Sequence, residues 1–419
     1  MGILQHVMCT PKEKARLREL AKRQVELANS PVNLERVELW KRHNAFKGER
    51  PVIHIEVGTF RQETIEPLLQ CKTPFARMVE YNLLQNFYNF EQFDDDRVVP
   101  PYYMVNYITG FTLFGHYVKE SVLKDDNGIE LGHQFKHIIT DLHDDFDIVM
   151  SKSRYTVTKQ TTYQQKKVLE DIFGDILPVR LSMNSLYAVP TQQVVHMMGM
   201  ENMMFAMYDY PDEFKQMMDR IAEDYIEYFK YLEKKDCLLP NTEFEGLAQG
   251  SMCFWPEKPD HDKILTTDVW GFMDSQETVG ISPDMFEEFI FPCYEKIGKL
   301  FGRLSYGCCE PVSAVWDCVK RFDNLKKVSI SPWCDEEMMA DELRGKDIIY
   351  HRKPSPNFLG VGAELDEAGF REHIEKTIKT ARGCHLEITQ RDVYTINHDL
   401  DKVRRYVNII RDTIDKYWE

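Results

Sequence analysis

The chain has 419 residues, of which 43% are hydrophobic and 29% are charged, a balance that permits a large buried core. Its 68 acidic and 52 basic side chains give a formal net charge of −16. This acidity argues against nucleic acid and against an anionic membrane surface as partners. It leaves room for a small anionic ligand held by a few local basic groups.

The sequence has no segment typical of a membrane span or a secretory leader. No stretch approaches the roughly 18 consecutive apolar residues that a spanning helix needs. Residues 1–10 are only mildly apolar and run directly into charged residues. We therefore expect a cytoplasmic protein whose ten cysteines are free thiols.

The first elements in chain order are two helices. Thr10 is a candidate N-cap, Pro11 suits a first helical turn, and Glu13 can complete a capping box, which predicts a helix over 11–29. A second helix is predicted over 33–43. We assign residues 1–48 to an N-terminal helical extension and residues 49–419 to the main domain.

Strand-like and helix-like segments alternate through the main domain. Extended segments are predicted at 51–58, 98–107, 176–181, 267–273, 303–307, 328–331, 347–350 and 385–389. Helices are predicted over 190–235, with a break near Pro211, and over 282–302, while the polar region 121–165 is predicted to be an insertion. This alternation predicts an α/β fold, specifically a (β/α)8 TIM barrel. An open doubly wound sheet is the alternative, although no Gly-x-Gly-x-x-Gly turn follows any strand.

Polar and thiol side chains follow five of the predicted strands. Because the working residues of a barrel lie at the carboxyl ends of its strands, these positions are candidate site residues. They are Asp274, Glu277, Tyr306, Cys308, Cys309, Glu310, Trp333, His351, Arg352 and Glu387.

Three of these candidates are acids that could meet in one barrel mouth. If Asp274, Glu277 and Glu310 are buried together, at least one should have a raised pKa and act as a proton donor. The alternative is that they cap helices or pair with nearby basic side chains. We predict that Tyr306, Trp333, His351, Arg352 and Glu387 line the substrate site.

The order of the motifs resembles the uroporphyrinogen decarboxylase superfamily, from about residue 15 to the C-terminus. The motifs are Asp-Ser-Gln-Glu at 274–277, Tyr-Gly-Cys-Cys-Glu-Pro at 306–311, Ile-Ser-Pro-Trp at 330–333 and Gly-Cys-His-Leu-Glu at 383–387. The resemblance implies a (β/α)8 barrel. It argues against a true decarboxylase, because the basic segment that follows the first strand in that enzyme is replaced here by 56–63, with one arginine among two glutamates.

Within the superfamily, the chain looks like the cobalamin-dependent methyltransferases of anaerobic bacteria. The resemblance implies an aryl methyl ether as methyl donor and O-demethylation as the reaction. The cobalamin would be carried by a separate corrinoid protein, since this chain contains no Asp-x-His-x-x-Gly segment. A methylamine- or thiol-directed methyltransferase and a non-catalytic corrinoid-binding protein are the alternatives. The sequence also leaves a homodimer open.

The same resemblance raises the question of zinc. Thiol-methylating relatives bind zinc through a His-x-Cys segment and a later Cys, but here Tyr306 stands at the His position and Gln390 lies near the later Cys position, while Cys308 matches. The family's ligand set is therefore not intact. We predict that any zinc would instead be held by Cys308, Cys309 and Glu310.

Overall fold

The structure is a computed structural model that describes residues 9–124, 130–257 and 259–418. Its helices are α1 (Pro11–Ala28), α2 (Pro31–Asn44), α3 (Pro74–Gln92), α4 (Phe146–Val149), α5 (Lys159–Phe173), α6 (Pro190–Met198), α7 (Met200–Asp209), α8 (Pro211–Lys234), α9 (Pro283–Met285), α10 (Phe291–Gly298), α11 (Trp316–Val319), α12 (Glu336–Leu343), α13 (Asn357–Gly360), α14 (Glu367–Thr380) and α15 (Leu400–Tyr417).

The strands are shorter and mostly alternate with these helices. They are β1 (Val52–Ile55), β2 (Tyr103–Asn106), β3 (Thr109–Thr112), β4 (Lys119–Lys124), β5 (Glu130–Lys136), β6 (Arg154–Val157), β7 (Val179–Ser182), β8 (Leu186–Ala188), β9 (Gly246–Leu247), β10 (Ser251–Met252), β11 (Trp270–Met273), β12 (Arg303–Tyr306), β13 (Leu325–Ile330), β14 (Ile349–Arg352) and β15 (His385–Gln390).

Seven strands form one parallel sheet in the order β1-β15-β14-β13-β12-β11-β8. β11 pairs with β8, and three residues before β8 the chain forms β7, which pairs in parallel with β2. The order of the seven-stranded sheet therefore continues through β8 and β7 to β2. β1 and β2 are the two ends of this order, and in a closed eight-stranded barrel the two end strands are neighbours.

The seam between β1 and β2 is bridged by the segment that leads into β2, and its hydrogen bonds differ from those of a regular ladder. The Asp96 N–H donates to Ile53 O at 2.8 Å. The Asp96 and Asp95 carboxylates accept from the N–H groups of Ile53 and Ile55 at 2.8 and 2.9 Å. Two buried aspartates thus satisfy the exposed edge of β1, which an open sheet would leave bare. The predicted α/β barrel is confirmed.

The two N-terminal helices form where the sequence predicts them. Thr10 accepts from the backbone N–H of Glu13, and the Glu13 side chain accepts from the Thr10 N–H, which completes the capping box of α1. Ser30 caps α2 in the same way, through the Asn33 N–H. α2 extends to Asn44, whose side chain donates to the carbonyls of Met252 and Cys253.

A short hairpin lies inside the barrel. β9 and β10 pair antiparallel, and residues 249–251 at their turn contact side chains from β13, β14 and the end of β15. Gly250 has φ +80°, and a Cβ there would lie 2.8 Å from the Thr389 side chain, so only glycine allows this close approach. The sequence analysis did not predict this hairpin.

Two predicted helices are more broken than expected. The segment predicted at 190–235 is divided at Pro211, as expected, and also at Gly199, where φ is +81° and the chain changes direction between α6 and α7. The helix predicted from Ser282 does begin there, with a side-chain cap, but becomes π-helical over Phe286–Ile290. Pro292 explains the widening, because proline donates no N–H to the preceding turn and clashes with its carbonyl.

The polar region 121–165 contains more regular structure than an insertion loop would. β4 and β5 pair as an antiparallel hairpin, β3 pairs with β6, and α5 starts at Lys159. In the part of the chain that the structure describes, no helix is both long enough and apolar enough to cross a bilayer.

Candidate active site

The loops that follow β11 and β12 are tied together by the carboxylate of Glu310. Its Oε1 accepts from the Ser275 N–H at 3.0 Å, and its Oε2 accepts from the Cys308 N–H at 2.8 Å. Both oxygens are therefore used to hold two strand-end loops in register. Glu310 lies where the sequence predicted an acid, at the end of the barrel that carries Asp274.

Asp274 lies at the carboxyl end of β11 and has a different environment. Its side chain is 1% exposed, and its Oδ1 has no hydrogen-bond partner among the described residues. Burial raises its pKa well above the ordinary range, and the neighbouring Glu310, Cys308 and Glu277 raise it further. Burial and the neighbouring acids therefore favour the protonated form of Asp274, and one of its oxygens has no hydrogen-bond partner among the described residues.

Glu277 is joined to Asp274 through a short network. The Thr191 hydroxyl donates to Glu277 Oε2 at 2.8 Å and also lies 2.8 Å from the Tyr294 hydroxyl. Tyr294 in turn donates to the backbone carbonyl of Asp274 at 2.6 Å. Burial raises the pKa of Glu277. The structure thus brings the three predicted acids into one region, as the rule of strand ends indicated.

Cys308 and Cys309 are adjacent thiols beside these acids. Their sulfurs lie 3.5 Å apart, and Cys309 Sγ lies 3.4 Å from Asp392 Oδ2. The hydrogen bond between the thiols raises the pKa of Cys308, to which burial adds, and lowers the pKa of Cys309. Cys309 is thus the sulfur that more readily becomes a thiolate.

The predicted zinc ligands do not fit a metal centre in this arrangement. Within 9–124, 130–257 and 259–418, no three His, Cys, Asp or Glu side chains are placed to hold a metal ion. Glu310 has both oxygens engaged by backbone N–H groups, and Cys308 faces its neighbouring thiol. A zinc set of Cys308, Cys309 and Glu310 remains a prediction, and we derive no chemical step through it.

Four of the predicted substrate-binding residues have other partners, and two of them lie in the barrel wall. The Tyr306 hydroxyl is buried against Ser275 Oγ at 2.7 Å. Arg352 points outward from β14, where it pairs with Glu336 at 2.6 Å and donates to the Ser331 carbonyl at 2.7 Å. Both side chains therefore contact other residues of the barrel wall, and their contact with substrate stays a prediction.

Glu387, the third of these residues, lies deep in the barrel interior and is fully buried. Lys327 donates to it at 2.5 Å, and the rings of His43 and His351 lie 3.3 and 3.4 Å away. Burial opposes ionisation, but Lys327 and the histidines hold the pKa of Glu387 well below its usual range. The His351 ring also bonds the Thr389 hydroxyl at 2.8 Å. Glu387 and His351 form an internal charge network at a level below the mouth.

Trp333 is the predicted substrate-binding residue that reaches the surface. It follows β13 and is 72% exposed. Other large apolar side chains on loops at the same end of the barrel are also exposed, namely Val279, Val361 and Tyr394. The mouth thus has an apolar rim, which sequence reasoning found only at Trp333.

Several basic and amide groups at the mouth are not among the ten candidate site residues named from the sequence. Lys353 donates to Gln249 Oε1 and, at 3.0 Å, to the Cys308 carbonyl. Arg391 also donates to Gln249 and pairs with Glu56 at 2.8 Å. Their common partner, Gln249, lies on the internal hairpin. The signal for Lys353 in the sequence is its spacing, two residues after His351 and directly after the end of β14, which continues the inward alternation of that strand.

Two cavities are relevant to this site. One of about 540 Å³ lies between the end of β1 and β8 and is bordered by the hairpin, with His54, Arg97, Tyr187 and Gln249 among its lining residues. The other, of about 670 Å³, is lined by Tyr102 and Arg180 at the opposite ends of β2 and β7. The first cavity opens at the end of the barrel that carries the acids, so it is the candidate substrate pocket.

No family model matches the chain, and no curated protein matches it. Among solved structures, a methyltransferase from Methanosarcina mazei is similar over 92% of this chain and 99% of that chain, with a TM-score of 0.50 and 10% identity. A B12-independent methionine synthase from a Shewanella species, in complex with selenomethionine, covers 73% of this chain and 76% of its own, with a TM-score of 0.27 and 11% identity. The first likeness agrees with the barrel fold seen here. Membership of the cobalamin-dependent branch stays a prediction.

Proposed function

We propose that this protein transfers a methyl group from an aryl methyl ether to a corrinoid carried by a separate protein. The observation that best supports the proposal is Asp274 at the end of β11, a buried acid whose pKa is raised and whose Oδ1 has no hydrogen-bond partner among the described residues. The solved structure with a similar fold is named a methyltransferase, and we extend that activity to this chain as part of the proposal. The aryl ether as donor comes from the motif resemblance.

The chemistry of an ether donor gives Asp274 a specific task. Breaking the bond between methyl carbon and ether oxygen leaves the electron pair on the oxygen, and a phenolate is a poor leaving group. Asp274 would give its proton to that oxygen, so that the product leaves as a phenol. General acid catalysis of this kind typically contributes on the order of 10²–10⁴ in rate. When bound, a reduced corrinoid supplies the nucleophilic metal that accepts the methyl group.

The neighbouring acids have supporting tasks. Both oxygens of Glu310 accept from backbone N–H groups, whereas Asp274 has an oxygen without such a partner. The proximity of Glu310 raises the pKa of Asp274, which makes Glu310 a positioning residue. The structure therefore favours Asp274 over Glu310 as the proton donor.

The apolar rim supports a protein partner at the mouth. Trp333, Tyr394, Val361 and Val279 are exposed on loops that follow four different strands. Exposed aromatic and aliphatic side chains that surround a site are typical of docking surfaces. A corrinoid domain seated on this rim would bring its cofactor over the mouth, as the transfer requires.

The proposal is tested by replacing Asp274 with Asn, which keeps the size of the side chain and removes the proton. The assay supplies a guaiacol-like donor and a reduced corrinoid acceptor, and follows the loss of cobalt(I) absorbance together with release of the phenol. We expect kcat to fall by about a hundredfold or more, with a much smaller change in donor affinity. Asp317→Asn, at an exposed acid on α11, is the matched control and should keep the wild-type rate.

The outcomes separate the competing functions. A wild-type rate from Asp274→Asn would remove this acid from the mechanism. Turnover of a methylamine with no product from any phenyl methyl ether would move the protein to an amine-directed methyltransferase. Binding of a corrinoid protein without turnover of any donor would favour a non-catalytic partner protein.

A further inference from the structure

Two of the free cysteines are consecutive in the chain and contact each other. The sulfurs of Cys308 and Cys309 lie 3.5 Å apart in the loop after β12. No other two cysteine sulfurs are in such contact within the described ranges. A disulfide needs a separation of about 2.0 Å, so the side chains have to approach by only about 1.5 Å to be joined.

The backbone of this loop is fixed at Cys308 and free at Cys309. The Cys308 N–H donates to Glu310 Oε2 at 2.8 Å, and its carbonyl accepts from Ser329 Oγ at 2.8 Å and from the Lys353 ammonium at 3.0 Å. In the part of the chain that the structure describes, the N–H and the carbonyl of Cys309 make no hydrogen bond. The side chain of Cys309 and the peptide group after it can therefore turn toward Cys308 without losing a backbone hydrogen bond.

The two thiols differ in their access to solvent. Cys308 is buried, with 8% of its surface exposed, whereas Cys309 is partly exposed. Cys309 contacts Asp392 on the loop after β15, and this loop reaches the surface at Tyr394. A small reagent from solvent therefore meets Cys309 first, and Cys308 is placed to react second.

Charged groups around the pair suit sulfur chemistry. Asp392 Oδ2 lies 3.4 Å from Cys309 Sγ, so the thiol proton has an acceptor in contact. The Lys353 ammonium bonds the Cys308 carbonyl, and the Arg391 guanidinium lies 3.8 Å from Asp392 Oδ1. Nearby cations favour negative charge on an attacking sulfur, which is the reactive form in thiol–disulfide exchange.

The same two thiols do not complete a zinc site. Zinc in proteins has three or four protein ligands. Beside the thiols, Glu310 has both oxygens engaged by backbone N–H groups, and the Tyr306 hydroxyl is engaged by Ser275. Two contacting thiols that lack further ligands keep the chemistry of a dithiol.

We propose that Cys308 and Cys309 form a thiol–disulfide exchange site, which a small-molecule disulfide converts to a disulfide between the two neighbouring residues. The Cys309 sulfur attacks one sulfur of the small disulfide, breaks its S–S bond and releases one thiol. Cys308 then attacks the Cys309 sulfur and releases the second thiol. The cysteine pair is oxidised, the small disulfide is reduced to two thiols, and both cysteine protons end on those thiols.

The disulfide formed in this way is expected to be labile. Its ring includes the peptide bond that joins Cys308 to Cys309, and closing so small a ring strains the bond. Strained disulfides are readily reduced and are typical of regulatory or catalytic pairs. The exchange site does not depend on the identity of any methyl donor.

The experiment treats the reduced full chain with hydroxyethyl disulfide, alkylates the remaining thiols in urea and locates them by peptide mass spectrometry. Cleavage after Arg303 and Lys320 gives one peptide that contains Cys308, Cys309 and Cys318. We expect the first two to be lost to alkylation about tenfold faster than any other cysteine, without attached mercaptoethanol, and to be restored by dithiothreitol. Cys318 should stay alkylated and is the control within the same peptide.

Three variants test the order of the steps. Cys308→Ser removes the second thiol, so a mixed disulfide with mercaptoethanol should accumulate at Cys309. Cys309→Ser removes the first thiol, so Cys308 should stay as available for alkylation as the other buried cysteines. Cys318→Ser is the matched control and should oxidise like the wild-type chain.

Full alkylation of Cys308 and Cys309 after the oxidant, or a mixed disulfide that persists at Cys309 in the wild-type chain, would overturn the proposal. Oxidation no faster in the folded chain than in urea would do the same. Stoichiometric zinc that blocks oxidation until a chelator removes it would assign the thiols to a metal site instead. These measurements use the wild-type chain, so they decide even if a variant does not fold. They involve no methyl transfer, so failure of the proposed function would leave their result unchanged.

Discussion

Replacing Lys327 with Met should destabilise the barrel strongly, because it leaves Glu387 as an unpaired charge in the interior. Both side chains are fully buried, and the ammonium lies 2.5 Å from the carboxylate. The other groups near Glu387 are the rings of His43 and His351, at 3.3 and 3.4 Å, and burial lowers the pKa of each ring. Neutral imidazoles cannot replace the missing positive charge.

The expected size of the effect follows from this burial. Removing one partner of a buried ion pair typically costs about 3–5 kcal/mol, since the remaining charge must be neutralised or left unsolvated. A double variant, Lys327→Met with Glu387→Leu, removes both charges and should regain most of that loss. The structure permits the exchange, because methionine and leucine can occupy the volume without a new polar group.

Equilibrium unfolding in urea, followed by far-ultraviolet circular dichroism and by tryptophan fluorescence, measures the effect. Trp40 is a useful probe, because its ring lies 5.9 Å from the Lys327 ammonium. Lys326→Met is the matched control on the same strand, where the side chain is only half-buried, and should cost less than about 1 kcal/mol. If Lys326→Met costs as much as Lys327→Met, or the double variant is no more stable than the single one, the ion-pair reasoning is refuted.

Two further predictions concern the helical extension and the β12 turn. Burial alone would raise the pKa of the Glu13 carboxyl, but hydrogen bonds from backbone N–H groups near the starts of α1 and α3 lower it to about 2. The ionised carboxylate therefore stabilises the fold above pH 4.5, and this stabilisation is lost as the pH falls toward 2. Glu13→Gln should therefore cost about 1–3 kcal/mol at pH 7 and much less near pH 2, as thermal melts at the two pH values would show; an equal loss at both would contradict this. Gly307 has φ +97°, and a Cβ there would lie 2.8 Å from Val312 and 3.1 Å from Ser329. Gly307→Ala should therefore lower the free energy of unfolding by more than the roughly 1–3 kcal/mol that backbone strain alone costs. Gly345→Ala, at φ +72° with open space around it, is the control for strain alone, and an equal loss of urea stability from the two substitutions would contradict the steric argument.

The strand pattern and the positions of the acids could be predicted because both depend on short-range sequence. Apolar segments separated by helical segments predict a parallel barrel, and the carboxyl ends of its strands must share one face. Asp274, Glu277 and Glu310 follow from that rule alone. Their different states could not be predicted, because they depend on which backbone N–H groups the folded loops present. Glu310 meets two such groups and Asp274 leaves one oxygen free.

The pairing of the interior charges could not be predicted, because the partners are distant in the chain. Lys327 meets Glu387 sixty residues away, and Arg97 meets His54 across the seam of the barrel. A charged residue in an apolar strand is a signal that the sequence does contain, as at Lys327 in β13 and His54 in β1. The sequence does not show whether such a side chain faces the interior or the surrounding helices. Arg352 illustrates the difficulty, since it pairs outward with Glu336 while its neighbour His351 points inward.

The internal hairpin determines how deep a ligand can go. Ser251 accepts from Lys327 and Gln249 accepts from Lys353 and Arg391, so the hairpin turn covers the buried Lys327–Glu387 pair. A ligand that enters from the mouth therefore meets Gln249 before it could reach that pair. The internal charge pair therefore lies at the bottom of the site, and the groups that can contact a ligand are those nearer the mouth. Among these, Asp274 has an oxygen without a hydrogen-bond partner among the described residues, which is why the proposed proton transfer falls above that level.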